Sequence, residues 1–291
     1  MEAGQGSAGE SEQSLSSSRI AIVGAGVMAE SMIAGLLARK MIPPSQIIAS
    51  HPREERRVQL SARFGISVRE SNVEAVEDAD LILLTIKPQV LPAVMAQLRG
   101  TLRPGQVVIS ILAGATMHAL RSGLAHDEIV RVMPNTPAQV GEGMAVWAAS
   151  DAVADDARAR VRLALGALGD EIEVEDEKYV DMATALSGTG PTYVFLMMEA
   201  LIDAGVHMGF PRRIAERIVM QTVSGSVSYA RSSGKHLAEL RNMVTSPGGT
   251  SAEAIYQMEK GGLRTILSKS VYAAYRRTQT LAGEQERALD D

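Results

Sequence analysis

Short apolar runs, each closed by glycine or proline, alternate with longer amphipathic stretches from Arg19 to about Glu177. Ile20 to Val23 is a β-type run ending at Gly24, and the helical stretch Ser31 to Lys40 follows until Pro43-Pro44 stops it. Ile47-Ile48-Ala49 is the next such run, and Arg53 to Phe64 reads as a helix closed by Gly65. Ala79 to Ile86, Val107 to Leu112 and Ile129 to Met133 supply three more strands, with Gly143 to Ala149 and Glu171 to Val174 as edge candidates. Runs that are short and apolar throughout belong to strands covered on both faces. Helical connectors between them predict a parallel α/β sheet.

After Lys178 the period changes. Tyr179 to Leu186, Thr192 to Met208, Pro211 to Ser232, Ser251 to Lys260 and Leu263 to Leu281 all repeat at helical spacing, and no alternating strand pattern is visible. The expected division is an unstructured leader over residues 1–18, a sheet domain over 19–177, an all-helical domain over 178–283 and a tail over 284–291. The second-domain helices are apolar around much of their circumference, as at Ile214, Ile218, Val219 and Val223. Such helices need covering on several faces, which a larger core of the same chain or a second subunit would provide; an oligomer is the expectation.

Composition narrows the function. The 291 residues contain no cysteine, which excludes a disulfide framework, thiolate metal sites and a cysteine nucleophile. A formal net charge of −5 and only 3% aromatic residues disfavour a nucleic-acid partner. The apolar run Val194 to Met198 ends at Glu199, far short of the roughly 18–20 residues that cross a membrane. The leader is rich in Ser, Gly and Glu and has no Lys or Arg before Arg19, unlike a signal peptide or presequence. A cytoplasmic location is therefore expected. The five histidines show no metalloprotease spacing and no G-x-S-x-G is present, so no metal site or serine hydrolase is expected.

The strongest chemical signal follows the first strand. Gly24-Ala25-Gly26-Val27-Met28-Ala29 is a G-x-G-x-x-A turn between strand and helix, the dinucleotide fingerprint of a Rossmann-type domain. Gly24 permits the tight turn, Gly26 lets a diphosphate approach the backbone, and the helix start offers free N–H groups. The second strand ends at Ser50-His51-Pro52-Arg53 without the acidic residue that holds the ribose hydroxyls of NAD. Ser50, His51 and Arg53 would instead bind a 2′-phosphate, which predicts NADP with NAD as the alternative. A solvated helix face shared with Arg56 and Arg57 would produce the same arginines. Thr85, Lys87 and Pro88 close the third strand, Ala113 and Gly114 follow the fourth, and Asn135 sits in the loop Met133-Pro134-Asn135-Thr136-Pro137. These strand ends should border the nicotinamide half of the cofactor.

Two small-residue corners interrupt the helical domain, Ser187-Gly188-Thr189-Gly190-Pro191 and Ser246-Pro247-Gly248-Gly249-Thr250-Ser251. Each is read as a loop feeding a helix start, where N–H groups hold a carboxylate or merely turn a corner.

Taken in order, the fingerprint, the Lys87-Pro88 strand end, Met133 to Pro137, Leu186 to Tyr193 and Val244 to Thr250 resemble the pyrroline-5-carboxylate reductase family, from about Arg19 to Leu281. The resemblance implies a Rossmann domain joined to a helical dimerisation domain, in dimers that commonly assemble into decamers. It implies hydride transfer from NADPH or NADH to the cyclic imine 1-pyrroline-5-carboxylate, giving L-proline. The cofactor set is then Gly24, Gly26, Val27, Met28, Ser50, His51, Arg53, Asn72, Thr85, Lys87, Pro88, Ala113, Gly114 and Asn135. Ser246, Gly248, Gly249, Thr250 and Ser251 take the substrate, with Ser251 and Thr250 as the catalytic candidates. The family usually carries Thr where this chain has Ser251, so the hydroxyl is kept and the methyl that restricts its rotamer is lost. Rival readings are a hydroxyacid dehydrogenase or general imine reductase of the same plan, and a silent nucleotide-binding protein. The stretch Tyr179 to Val206 lacks the lysine that the hydroxyacid enzymes use.

Overall fold

The computed structural model describes residue 15 and residues 17–290, with the side chains of 285–290 left aside. Most of the expected leader lies outside them. Its end does not: Leu15 is wholly buried against the first core cluster, and the Ser18 N–H donates to the Leu15 carbonyl at 3.0 Å.

Strand β1 (Ile20–Val23) leads through the glycine turn into helix α1 (Val27–Ala38), then to β2 (Ile47–Ser50) and α2 (Glu54–Phe64). A strand invisible in the hydrophobic pattern, β3 (Ser67–Arg69), and the short α3 (Asn72–Val76) precede β4 (Leu81–Leu84). Helix α4 (Leu91–Leu98), β5 (Val107–Ser110), α5 (Met117–Leu124) and β6 (Ile129–Met133) continue the alternation. Strand β7 (Gly143–Ala149), α6 (Asp155–Gly166), β8 (Gly169–Glu173) and α7 (Lys178–Ala183) complete it.

Among the described residues the sheet has eight strands in the order β3-β2-β1-β4-β5-β6-β7-β8. One departure from an all-parallel sheet is β7, which pairs antiparallel with β6, Val132 opposite Trp147. The connection between them is too short for a helical crossover, which parallel pairing requires. Strands β1, β4, β5 and β6 are buried along their whole length; β1 and β4 are unbroken apolar runs, whereas β5 ends in buried Ser110 and β6 carries buried Arg131 at its centre. Alternate residues serve opposite faces. Ile20, Ile22, Leu81 and Leu83 join Met32, Ile33 and Trp147 in one cluster, while Ala21, Val23, Ile82 and Leu84 join Leu91, Met95 and Leu120 in the other.

Strand β1 pairs with β2 on one side and β4 on the other, all parallel. Chain direction across the sheet reverses there, and ligands of open α/β sheets lie outside the carboxyl ends at that point.

The described residues pack as two compact units, one formed by those up to residue 189 together with 274–290, the other by residues 190–273. Sequence character changes near residue 178, but α7 packs with the sheet, tied to β6 by buried Arg131. Its guanidinium pairs with Glu177 and, at 2.8 Å, with Asp181.

The second unit contains α8 (Gly190–His207), α9 (Arg212–Ser233), α10 (Leu237–Met243) and α11 (Thr250–Lys260). Helix α12 (Leu263–Asp290) starts there and passes into the first unit from Ala274. It continues through the segment expected as a tail. Helices α8 and α9 meet closely at Gly205, where an added Cβ would come within 3.1 Å of the Ala215 methyl. No helix among the described residues is long and apolar enough to cross a membrane.

Candidate active site

Gly24 has φ +96°, a backbone that only glycine adopts without strain. A Cβ there would also come within 2.8 Å of Ile86 and 3.0 Å of the Thr85 carbonyl. Gly26 is the exposed N-cap of α1 and provides no side-chain cap, so the first-turn N–H groups of Val27 and Met28 face a cradle lined by backbone. Helix dipole and unpaired N–H groups together favour an anion there. Thr85 closes the turn from β4: its hydroxyl donates to the Gly24 carbonyl at 2.9 Å and reaches that of Val23 at 3.2 Å.

The rim at the end of β2 is basic. Ser50 is wholly buried, and its hydroxyl donates to Asn72 Oδ1 at 2.7 Å. The Asn72 amide nitrogen in turn donates to Gln97 at 2.7 Å. Ser50 and Asn72 thus form one internal chain beneath the rim. His51 Nδ1 accepts the Arg53 backbone N–H at 3.2 Å. Burial, followed by the charges of Arg53, Arg56 and Arg57, lowers the imidazole pKa below its ordinary 6.5.

The three arginines differ in their commitments. Arg57 donates to the His51 and Pro52 carbonyls and pairs with Glu70, and Arg56 reaches the Ala25 carbonyl and Glu30. The exposed Arg53 guanidinium pairs with no carboxylate among the described residues.

Further along the crevice edge, Lys87 is exposed at the carboxyl end of β4 and caps the short turn that Pro88 begins. Ala113 and Gly114 follow β5, and the α12 residues Leu281 and Ala282 lie directly over Gly114. Asn135 is turned inward: its Oδ1 accepts the Met144 N–H at 2.9 Å and its Nδ2 donates to Ser187 Oγ at 3.2 Å.

Ser187 belongs to a segment that is not the expected loop. Thr184–Gly188 winds as a wide π-helical turn, in which Thr189 donates both its N–H and its hydroxyl to the Thr184 carbonyl at 2.9 Å. A side chain at Gly188 would press on Met133, at 3.2 Å from its sulfur, which is why small residues pass there. Turns of this type frequently mark functional positions.

In the helical unit, Ser246 to Gly249 forms a tight turn: the Gly249 N–H donates to the Ser246 carbonyl at 3.0 Å, and Gly248 has φ +71°. A Cβ on Gly249 would fall 2.5 Å from Ser246 Oγ. Gly249 is the N-cap of α11 and has no side chain to cap it, which leaves the N–H groups of Thr250 and Ser251 at a bare helix start. Ser251 is half-buried and Thr250 exposed.

The contributions of Arg56, Arg131 and Glu177 are not legible in the sequence, since they act through partners 26 to 50 residues away. An arginine run offers no sign of which member folds inward.

A glycine turn at a sheet reversal point, a basic rim at the second strand and a separate helical unit define a two-domain protein of the dinucleotide-binding Rossmann type. The family pattern described as pyrroline-5-carboxylate reductase dimerisation matches residues 177–281, and that described as NADP oxidoreductase coenzyme F420-dependent matches residues 19–114. A pyrroline-5-carboxylate reductase of Synechocystis is 42% identical over 264 residues, covering 90% of this chain and 98% of the relative. The chain therefore belongs to the pyrroline-5-carboxylate reductase family, whose members are NADP oxidoreductases. Among solved structures, a pyrroline-5-carboxylate reductase from Coxiella burnetii superposes with TM-score 0.86 at 32% identity, covering 91% of this chain and 98% of that one. The pyrroline carboxylate reductase of Plasmodium falciparum, crystallised with NADP bound, gives TM-score 0.84 at 29% identity, covering 92% and 99%.

Proposed function

We propose that this protein reduces the cyclic imine 1-pyrroline-5-carboxylate to L-proline, using NADPH with NADH as the alternative donor. The observation that carries this reading is the bare start of α11, where glycine stands in place of a capping side chain next to two hydroxyl residues, in a chain of this family. Such a start suits a small carboxylate.

The nucleotide cradle fits an NADP molecule: Ile86 and Thr85 leave no room for a side chain at Gly24, which keeps the turn tight, and an exposed glycine at position 26 would let a diphosphate approach the backbone. Gly24, Gly26, Val27 and Met28 would hold that diphosphate, and Arg53 with His51 would meet the 2′-phosphate over the Ser50–Asn72 pair. Thr85, Lys87, Pro88, Ala113, Gly114 and Asn135 would border the nicotinamide. When bound, the reduced nicotinamide supplies a hydride for the C=N carbon.

The chain's own task is then positioning. The turn Ser246, Gly248 and Gly249 presents the Thr250 and Ser251 N–H groups to the substrate carboxylate. Ser251 would hydrogen-bond the ring nitrogen, with Thr250 beside it. A protonated imine gains a hydride on carbon and becomes a neutral secondary amine, so no strong acid or metal is needed at the nitrogen. Among the described residues no cluster of His, Asp or Glu is arranged to hold a metal ion.

The sheet domain (19–177) and helical domain (178–283) would divide cofactor and substrate binding. The exposed apolar helices support a homodimer; further assembly into a decamer and a cytoplasmic location belong to the same proposal. Mixing the protein with 1-pyrroline-5-carboxylate and NADPH while following absorbance of the reduced cofactor tests the reading. Substrate-dependent oxidation is expected; its absence with both NADPH and NADH would reject the reading.

A further inference from the structure

Arg56 stands in the first half of α2, where sequence periodicity offers it only as part of an exposed basic face. Its side chain instead keeps 22% exposure and reaches the nucleotide turn. Nε and Nη2 both donate to the Ala25 carbonyl, at 3.1 and 2.9 Å, and Nη2 also pairs with Glu30 on the first turn of α1. Arg63, further along α2, is a second cation on the same Glu30 carboxylate.

Two physical problems of the turn meet at this arginine. Ala25 is flanked by Gly24 and Gly26, whose wide backbone freedom lets the peptide between Ala25 and Gly26 rotate at little cost. Glu30 meanwhile sits within one turn of Gly26, its N–H donating to the Gly26 carbonyl at 3.1 Å. A carboxylate there is favoured by the helix start but repels a diphosphate at the same place. Carbonyl and N–H of a trans peptide point in opposite directions. A guanidinium fork on the Ala25 oxygen therefore holds the Gly26 N–H on the opposite side, where Gly26 is exposed.

Building on the nucleotide-site reading above, we propose that Arg56 is a positioning residue for the diphosphate: it locks the Ala25–Gly26 peptide with its N–H available to the anion and neutralises Glu30. Arg53, by contrast, serves only the 2′-phosphate. One basic run then carries two separable functions, one common to both cofactors and one selecting between them.

Calorimetric titration with NADPH, NADH, ADP and 2′-AMP separates them, because ADP carries the diphosphate alone and 2′-AMP the 2′-phosphate alone. Arg56→Gln should weaken NADPH, NADH and ADP by about tenfold each and 2′-AMP by less than about twofold. In the same variant kcat/KM should fall much further than kcat. Arg53→Gln should give the inverse, losing 2′-AMP and NADPH while ADP and NADH stay close to wild type. Arg56→Lys keeps the charge without the two-donor fork; it should fall between wild type and Arg56→Gln, and it decides the matter if the glutamine variant does not fold. The proposal is overturned if Arg56 variants bind ADP and NADH as wild type does, or lose 2′-AMP to the same degree. Wild-type protein that binds none of the four nucleotides would instead overturn the site reading itself.

Discussion

In the sheet unit Ile22, Leu83, Ile109 and Trp147 are wholly buried, whereas in the helical unit Phe195 and Leu196 keep 62% and 64% of their surface exposed. Both sets of residues are equally apolar in sequence. A strand in a two-sided sheet finds helices of its own chain above and below, so its apolar run closes a core locally. A helix that is apolar around its circumference has more faces than α8 and α9 cover for each other. Such a surface is the half of an interface, which fits the proposed homodimer. On that proposal one region carries its stability within a single chain, and the other draws it from assembly.

The largest effect should come from opening the closed half. Trp147 is fully buried, its indole N–H donates to Glu171 at 2.6 Å, and Arg162 stacks over the ring at 5.8 Å. Trp147→Ala should cost about 3–5 kcal/mol in urea unfolding, independent of protein concentration. A loss that shrank at high protein concentration would mean the sheet core is not self-contained.

On the open half, Leu196→Asp should leave the sheet unit folded and remove about 2–4 kcal/mol of association free energy. Sedimentation velocity would then show smaller species on dilution. An unchanged assembly would show that a second copy does not cover this face.

Chemistry separates the halves next. Ser251→Ala should lower turnover by about a hundredfold with cofactor affinity unaltered, as expected for a hydroxyl that positions the ring nitrogen while its lone pair forms. Equal turnover in the variant would remove Ser251 from the reaction. On the sheet side, Arg53→Gln should cut kcat/KM for NADPH by about tenfold and leave that for NADH close to wild type. An equal loss with both would assign Arg53 to the shared diphosphate.

The smallest effect is a pH dependence of the sheet unit. His51 has a folded pKa below 6.5, chiefly through burial, so the unfolded chain takes up the proton first as pH falls. This contribution to stability is intact above 6.5 and is lost as pH drops through 6.5 toward the folded value. His51→Gln should flatten that part of the stability curve, measured by thermal unfolding from pH 5 to 8 at constant ionic strength.

Local rules explain why much of this architecture was readable. Four-residue apolar runs such as Ile20–Val23 and Leu81–Leu84, closed by Gly24 and by Pro88, suit strands covered on both sides, and those breakers mark the turns. The G-x-G-x-x-A turn is a backbone requirement, so it is written directly in residue type. Strand β3 escaped because Ser67-Val68-Arg69 has no apolar pattern; pairing with β2 makes it a strand. The π turn at Thr184–Gly188 escaped for a similar reason, since Ser, Gly and Thr read as a loop until one threonine commits two donors to the same carbonyl.

By itself, then, the order of residues determined the alternation of strand and helix, the glycine cradle, the lack of an acid at the end of β2 and the apolar excess of the second half. These depend on backbone sterics and on periodicities within a few neighbours. Only the tertiary structure decided which arginine of α2 turns inward to Ala25, that Asn135 spends its amide on Met144 and Ser187, and that Arg131 anchors α7 to the sheet. Those choices depend on partners far away in the chain, and side-chain type alone does not say which distant carbonyl or carboxylate folding will bring within reach.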